Sequence, residues 1–241
     1  MRLLDQTLES PELNLALDEA LLIGLESGQS QETLRFWESP VHFVVVGVGQ
    51  AVREEVRVDA CQGGGVPILR RASAGGCVLQ GPGCLNFALA LSLESRSEAR
   101  SLHASYRYIL DPVAEALNRR GIPATREGIC DLSVDGLKVS GNAQKRRKRA
   151  ILHHGSLLYA MDLDPISKYI REPAKRPGYR HDRTHDRFVT NLPLSAQALR
   201  EAVCEAFGVS GPSSAAASRE LEAARRLAAE KYTTAQWTWR R

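Results

Sequence analysis

Three groups of residues in this chain could do chemistry. The densest is Arg70-Arg71-Ala72-Ser73-Ala74-Gly75-Gly76-Cys77-Val78-Leu79-Gln80, continued by Gly81-Pro82-Gly83-Cys84-Leu85-Asn86. Glycines let a backbone come close to a ligand and turn its amides towards anionic oxygens. The double arginine beside them adds permanent charge and forked donors for phosphate or carboxylate. On residue types alone, the run is either an anion cradle or a glycine-rich turn with arginines on the surface. It is not a P-loop or a dinucleotide fingerprint, because no Gly-Lys-Ser/Thr closes it and G-x-G-x-x-G is absent. The second group is Asp131 with Asp135-Gly136-Leu137-Lys138-Val139-Ser140-Gly141-Asn142-Ala143-Gln144. Lys138 either projects into a cleft, where it holds an oxygen anion as a point charge, or stands solvated beside a hairpin. The third is His153-His154-Gly155-Ser156. It has no carboxylate or cysteine at ligand spacing, and His181 and His185 fall in a Pro/Gly-containing stretch, so no bound metal is expected there.

These groups need elements to position them. Leu13, Leu17, Ala20, Leu21 and Leu25 recur at helical steps after Pro11 and predict a first helix over Pro11–Leu25. Leu34–Trp37, His42–Gly47, Val66–Arg70, Leu85–Leu93 and Leu152–Ala160 read as strands. Cys130–Val134 and Leu137–Ser140 form a hairpin about Asp135-Gly136, a turn pair. Tyr106–Arg119, Ser195–Phe207 and Arg219–Lys231 read as helices, Glu172–Arg187 as a charged loop, and Gly208–Ser218 as a linker. Strands and helices mix without regular βαβ alternation. The expected fold class is therefore α+β (mixed α/β), a mixed sheet flanked by helices.

Composition narrows the function. Of 241 residues, 43% are hydrophobic and 25% charged, which excludes a disordered tail, a collagen or a coiled coil. The longest apolar run surrounds Val44-Val45-Val46, far short of the ~20 residues that span a bilayer. No cationic segment leads into an apolar stretch after Met1, so a soluble, cytoplasmic protein with no membrane partner is expected. The five cysteines, Cys61, Cys77, Cys84, Cys130 and Cys204, form no C-x-x-C pair and read as free thiols. A net charge of +4 is too small to argue for nucleic acid. The exception is Lys145-Arg146-Arg147-Lys148-Arg149, which reads as a phosphate-neutralising run, a solvated hairpin tip, or a basic rim for an acidic partner or a triphosphate.

Taken in order, several motifs carry a resemblance. They are Asn14-Leu15-Ala16-x-Asp18-Glu19, Arg35-Phe36-Trp37, Val46-Gly47-x-x-Gln50, Arg70 to Gly76, Asp135 to Ala143, His154-Gly155-Ser156-Leu157-Leu158 and Phe188-Val189-Thr190-Asn191-Leu192. From about Asp5 to Leu192 the chain resembles the lipoate–protein ligase A branch of the biotin/lipoate ligase and octanoyltransferase family. The resemblance implies a catalytic domain of the class II synthetase and biotin ligase type over residues 1–208. Residues 209–241 would then be a linker and C-terminal helix without a full accessory domain. It implies ATP, Mg²⁺ and lipoate (or octanoate) as substrates. Lipoate is activated to lipoyl-AMP and passed to a lysine of a lipoyl carrier domain, with a separate accessory subunit as a further partner.

The resemblance also implies roles. Lys138 would be the catalytic lysine, bridging acyl carbonyl and phosphate. Arg71, Ser73, Gly75, Gly76, Cys77, Val78, Leu79, Gln80 and Asn86 would line the lipoate and adenylate site. Asp131 would help hold Mg²⁺ or the nucleotide, and Asn142 and Ala143 would lie beside adenine or ribose. His154 and Gly155 would floor the acyl pocket, with Val44 and Val46 among its apolar walls. Ala74 stands where the family has the first of three glycines, and Gln80 where it has a histidine. The nearest alternative is an octanoyl or lipoyl transferase that works from a carrier thioester through a cysteine, for which Cys130 is the candidate. A biotin ligase lacks its Gly-Arg-Gly-Arg loop here. A non-catalytic carrier- or nucleic-acid-binding protein rests only on the basic run.

Overall fold

Asp135 (φ 51°) and Gly136 (φ 72°) both adopt left-handed backbone, the conformation a two-residue hairpin turn requires. They join β-strands Asp131–Val134 and Leu137–Arg146, which form the hairpin expected from the sequence. The structure is a computed structural model that describes residues 1–174 and 176–240. Lys175, inside the expected charged loop, and Arg241 lie outside the described residues.

In chain order the first half runs β1 (Arg2–Asp5), α1 (Pro11–Glu26), β2 (Thr33–Trp37), β3 (Phe43–Val46), α2 (Val52–Glu55), α3 (Val58–Gly63), β4 (Ile68–Arg70), β5 (Val78–Gln80) and β6 (Cys84–Ser92). The second half runs α4 (Leu102–Asn118), β7 (Ala124–Glu127), β8 (Asp131–Val134), β9 (Leu137–Arg146), β10 (Ala150–Leu158), α5 (Asp164–Tyr169), α6 (Ala196–Ala206), α7 (Ser218–Leu227) and α8 (Ala235–Thr238). The main sheet has the order β1-β2-β6-β10-β9-β8-β7, with β1 and β2 parallel and the other pairs antiparallel. A second sheet, β4-β3-β5, mixes one parallel and one antiparallel pair. The expected α+β fold with a mixed sheet flanked by helices is what is observed.

Helix α1 starts at Pro11, with Ser10 Oγ accepting from the Leu13 N–H as an N-cap. Its buried face is not purely apolar. Asn14, Asp18 and Glu19 are buried with the leucines, and Arg35 of β2 answers two of them. Arg35 donates to Asn14 Oδ1 at 2.6 Å and to Asp18 Oδ1 at 2.5 Å. Helix α4 and α6 cover one face of the main sheet, through the cluster of Leu89, Leu91, Ile109, Val113, Leu117 and Val203. Helix α7 continues as a π-helical turn, Ala228–Tyr232, and packs on α1 through Ala224, Ala228 and Tyr232.

The basic run divides between a strand and a turn. Arg146 closes β9 and donates to the carbonyls of Ala99 and Arg100. Arg149 pairs with Glu94 at 2.9 Å and stays exposed together with Arg147 and Lys148, while Lys145 and Arg146 are half-buried in β9.

Candidate active site

Lys138 sits two residues past the Asp135-Gly136 turn, beside a register shift between Leu132 and Ser133. Its backbone is pinned from the other side as well. Its N–H donates to Phe188 O at 2.8 Å, and Thr190 N–H donates to Lys138 O at 2.9 Å. The side chain crosses Gly141, where a Cβ would lie 3.0 Å from Lys138 Cε. Nζ ends 2.8 Å from Asp131 Oδ1, and Tyr179 Oη donates to Asp131 Oδ2 at 2.8 Å. Both carboxylate oxygens are therefore engaged. Among the described residues, no group of three His, Cys, Asp or Glu could hold a metal.

Two cavities meet at Lys138 and Asp131. The smaller, about 120 Å³, reaches between the sheets and is lined by Leu15, Asp18, Trp37, Val45, Arg71 and His154 among others. Arg71 Nε donates to Ser73 Oγ at 3.0 Å, and Nη2 donates to Ala74 O at 2.8 Å and Gly76 O at 2.9 Å. Nη1 is buried without a partner. A buried, unanswered guanidinium N–H beside a cavity calls for an anionic oxygen there. Burial pushes the Arg71 guanidinium down to about 10, which still leaves it charged at neutral pH.

Ser73 Oγ accepts from Arg71 and shares a second hydrogen bond with His154 Nε2 at 2.6 Å. The other ring nitrogen of His154, Nδ1, lies 3.6 Å from Asp18 Oδ2. Burial pushes the Asp18 carboxyl up, but Arg35 and His154 outweigh it and hold it below the usual carboxylate range. A chain of charge and hydrogen bonds thus runs from Arg35 through Asp18, His154 and Ser73 to Arg71.

The larger cavity, about 530 Å³, lies under the segment that runs from Glu172 to Phe188. Its walls are apolar at Leu79, Leu158, Met161 and Ile166, and cationic at Arg171 and Arg180. Arg180 is buried, bonds Glu172 Oε2 at 2.6 Å, and stacks over the Phe188 ring at 4.7 Å. Cys77, Val78, Cys130, Asp131 and Lys138 line both cavities. Burial and the neighbouring Asp131 push the Cys130 thiol up to about 11, and its Sγ lies 3.9 Å from Asp131 Oδ1. Burial also pushes Cys84 up to about 12, and Cys77 rises further.

The expected residues divide by position. Gly75, Gly76, Gln80, Asn86, Asn142, Ala143, His154 and Gly155 join Arg71 at the small cavity, and Leu79 lines the large one. Ser73 is fully buried and reaches the cavity only through Arg71 and His154. The Asn142 amide is engaged internally. Its Oδ1 accepts from His153 Nε2 at 3.1 Å, while its Nδ2 donates to Cys130 O at 2.8 Å. Gly155 must be glycine, since a Cβ there would lie 1.8 Å from Asn142 Oδ1. Ala74 replaces a family glycine without strain, because the left-handed position of this loop is Gly75 (φ 102°).

Val44 and Val46 are corrected. Strand alternation turns both into the cluster with Val52, Val56 and Leu79, and it is Val45 that faces the small cavity. Sequence reasoning did not single out Leu15, Asp18, Trp37, Tyr179 or Arg180 as site residues. A signal existed for Asp18: a buried-face position of α1 carrying a carboxylate demands a partner such as Arg35.

Comparison with known proteins now has a geometry to meet. The chain belongs to the lipoyl protein ligase A/B catalytic domain family, which matches residues 10–208. It is thus an enzyme of the lipoate ligase and octanoyltransferase group. The lipoate-protein ligase LplJ of Bacillus subtilis is 32% identical over 162 residues, 67% of this chain and 46% of LplJ, so this chain spans about half the length of that relative. The octanoyltransferase LipM of Brevibacillus brevis is 26% identical over 96% of both chains. A solved bi-partite lipoate protein ligase from Thermoplasma acidophilum, described together with its E2 lipoyl domain, superposes with a TM-score of 0.83 at 28% identity, over 99% of this chain and 95% of that one. A lipoate-protein ligase A bound with ATP gives a TM-score of 0.84 at 26% identity, over 99% and 98%.

Proposed function

We propose that this protein is an ATP-dependent lipoate–protein ligase. The observation that carries the reading is the pair of cavities joined at Lys138. A small pocket ends at an unanswered Arg71 N–H, and a large one has room for a nucleotide. In the first step, an oxygen of the acid's carboxylate attacks the α-phosphorus of ATP, the bond to the β-phosphate oxygen breaks, and pyrophosphate leaves. In the second, the neutral amine of a carrier lysine attacks the acyl carbonyl, AMP leaves, and the amine gives up a proton to solvent. Arg71 orients the carboxylate in the small pocket. Lys138, oriented by Asp131, offers its ammonium to both the acyl oxygen and the α-phosphate, where charge builds up in each step. Asp131, beside Lys138, would be the carboxylate to help hold the magnesium of MgATP or the nucleotide itself, and the ion would supply positive charge against the phosphates.

The acceptor is a lipoyl carrier domain, approached past the basic rim at Arg147 and Lys148, with a separate accessory subunit as a further partner. Residues 1–208 are the catalytic unit. Five unpaired cysteines suit a reducing cytoplasm.

A second reading has its own support. The transferase LipM matches over nearly its whole length, and Cys130 lines both cavities. The deciding experiment is the intact mass of a purified lipoyl domain after incubation with lipoate and MgATP, or with octanoyl-carrier protein alone. The ligase reading expects a lipoyl mass shift that requires ATP and survives in Cys130→Ser within about three-fold. A shift that appears only with the octanoyl thioester and vanishes in Cys130→Ser overturns it.

A further inference from the structure

Arg70 and Arg71 are sequence neighbours with opposite surroundings. Arg71 turns to the small cavity, while Arg70 turns to the C-terminal segment and is fully buried. Arg70 Nε donates to the carbonyls of Trp237 (3.1 Å) and Thr238 (3.0 Å), and Nη2 donates to Thr238 O at 2.8 Å. On the other edge, Nη1 donates to Gly47 O (2.8 Å), Val48 O (3.2 Å) and Gln50 O (2.7 Å). Trp237 Nε1 returns a bond to Arg70 O at 2.8 Å. One guanidinium therefore ties α8 to the loop Gly47–Gln50 through main-chain carbonyls. Lysine cannot reproduce this arrangement, because it lacks the planar fork.

The loop Gly47–Gln50 leans directly on the glycine loop of the small cavity. Val48 N–H donates to Ser73 O at 2.9 Å, and a Cβ on Gly47 would meet Gly75 O at 2.1 Å. The same glycine loop holds Arg71 through the carbonyls of Ala74 and Gly76. The C-terminal segment has its own anchor on α1. Lys231 Nζ pairs with Glu19 at 2.7 Å and sits 4.1 Å from the Trp237 ring centroid, and Tyr232 Oη donates to Glu19 at 2.8 Å. This segment lies beyond residue 208, where the family match ends.

We propose that Lys231–Thr238 is a strap that sets the geometry of the acid-binding pocket, with Trp237 and Arg70 as positioning residues acting through the Gly47–Gln50 and Ser73–Gly76 loops. The inference rests on the small cavity being the acid site. Closing the strap holds the two loops in contact and keeps Arg71 Nη1 aimed into the pocket. Releasing it costs affinity for the acid while leaving the large cavity as it is.

The test compares two conservative variants of the same segment in the full chain. Trp237→Phe loses the N–H bonded to Arg70 together with part of the indole face that Lys231 covers, whereas Tyr232→Phe loses only the hydroxyl bonded to Glu19. Arg70→Lys is the stronger variant, and Trp237→Phe stands in for it should Arg70→Lys fail to fold. Calorimetric titration with lipoate should show about ten-fold weaker binding in Trp237→Phe, with ATP binding changed less than two-fold. Tyr232→Phe should lower Tm but keep the lipoate Kd. Hydrogen exchange, which needs no ligand, should speed up in peptides covering 46–51 and 71–77 in Trp237→Phe only. Unchanged exchange in those peptides overturns the strap, as does a lipoate Kd within two-fold of wild type in both variants. If the wild-type chain binds neither lipoate nor octanoate, the ligase reading fails, and the exchange data still decide the strap.

Discussion

The two cavities are built in opposite ways. The small one is framed on most sides by regular elements, with Trp37 and Val45 on strands, Asp18 on α1 and His154 on β10, and is closed on one side by the short loop that carries Arg71, Gly75 and Gly76. The large one borrows its floor from β9 and β10 but takes its roof from the stretch Glu172–Phe188, which among its described residues carries two short 3₁₀ turns. A frame of strands suits a ligand whose shape must be measured. A roof of loop, tied by the Arg180–Glu172 pair and the Tyr179–Asp131 bond, suits a ligand that must enter and leave. Lys138 belongs to both, because its backbone is held by the hairpin on one side and by Phe188 and Thr190 on the other.

Three experiments press on this contrast. The largest effect belongs to the shared residue. Lys138→Ala should cut acyl-adenylate formation by about 10³-fold, measured as pyrophosphate release, since it removes the cation where charge develops in either cavity. Retention of more than a tenth of the rate would mean the two cavities do not work as one site. Next comes a change confined to the small cavity. In Arg71→Lys, the bonds to Ser73, Ala74 and Gly76 cannot all be kept. The KM for the acid should rise about 100-fold while the KM for ATP stays within about two-fold. Equal increases in both would erase the division of labour.

The smallest effect lies in the frame beneath. His153 is fully buried between Gln144 and Asn142, and burial pushes it down to about 3. An unfolded histidine titrates near 6.5, so between those values the unfolded chain binds a proton that the folded chain excludes. Stability from this group is complete above pH 6.5 and falls as the pH drops towards 3. His153→Gln should cost about 1–2 kcal/mol at pH 7 and show a smaller loss of urea midpoint between pH 7 and pH 4.5 than wild type. An equal loss in both would remove His153 as the source.

Much of this was legible because it is local. The Asp135-Gly136 turn, the strand carrying Lys138, and the three long helices follow from turn chemistry and periodicity within a dozen residues. The short elements β1, β5, β7, α2, α3 and α5 were not, since three to six residues hold too little pattern, and their pairing is decided by partners far along the chain. β5 in particular reads as the tail of the glycine run, and becomes a strand only because β3 pairs with it. The site shows the same limit. Arg71 and Lys138 announce themselves by type, but whether Val44 or Val45 faces the pocket depends on a one-residue choice of strand face, which an all-apolar run does not display. His153 and His154 are adjacent and alike in sequence, yet the pleat sends one into the core and the other to Ser73.

The pins on either side of the large cavity's roof have a consequence for how such an enzyme can evolve. Upstream, Arg57 N–H bonds Tyr169 O and Arg171 N–H bonds Glu55 O, both at 2.8 Å; downstream, Phe188 O and Thr190 N–H clasp Lys138. Between these fixed ends the intervening chain behaves as an exchangeable cassette. A change in its length carries a loop-closure cost that grows only slowly with length. A descendant that keeps Tyr179, and with it the bond to Asp131, could thus remodel what the roof admits while inheriting an undisturbed lysine.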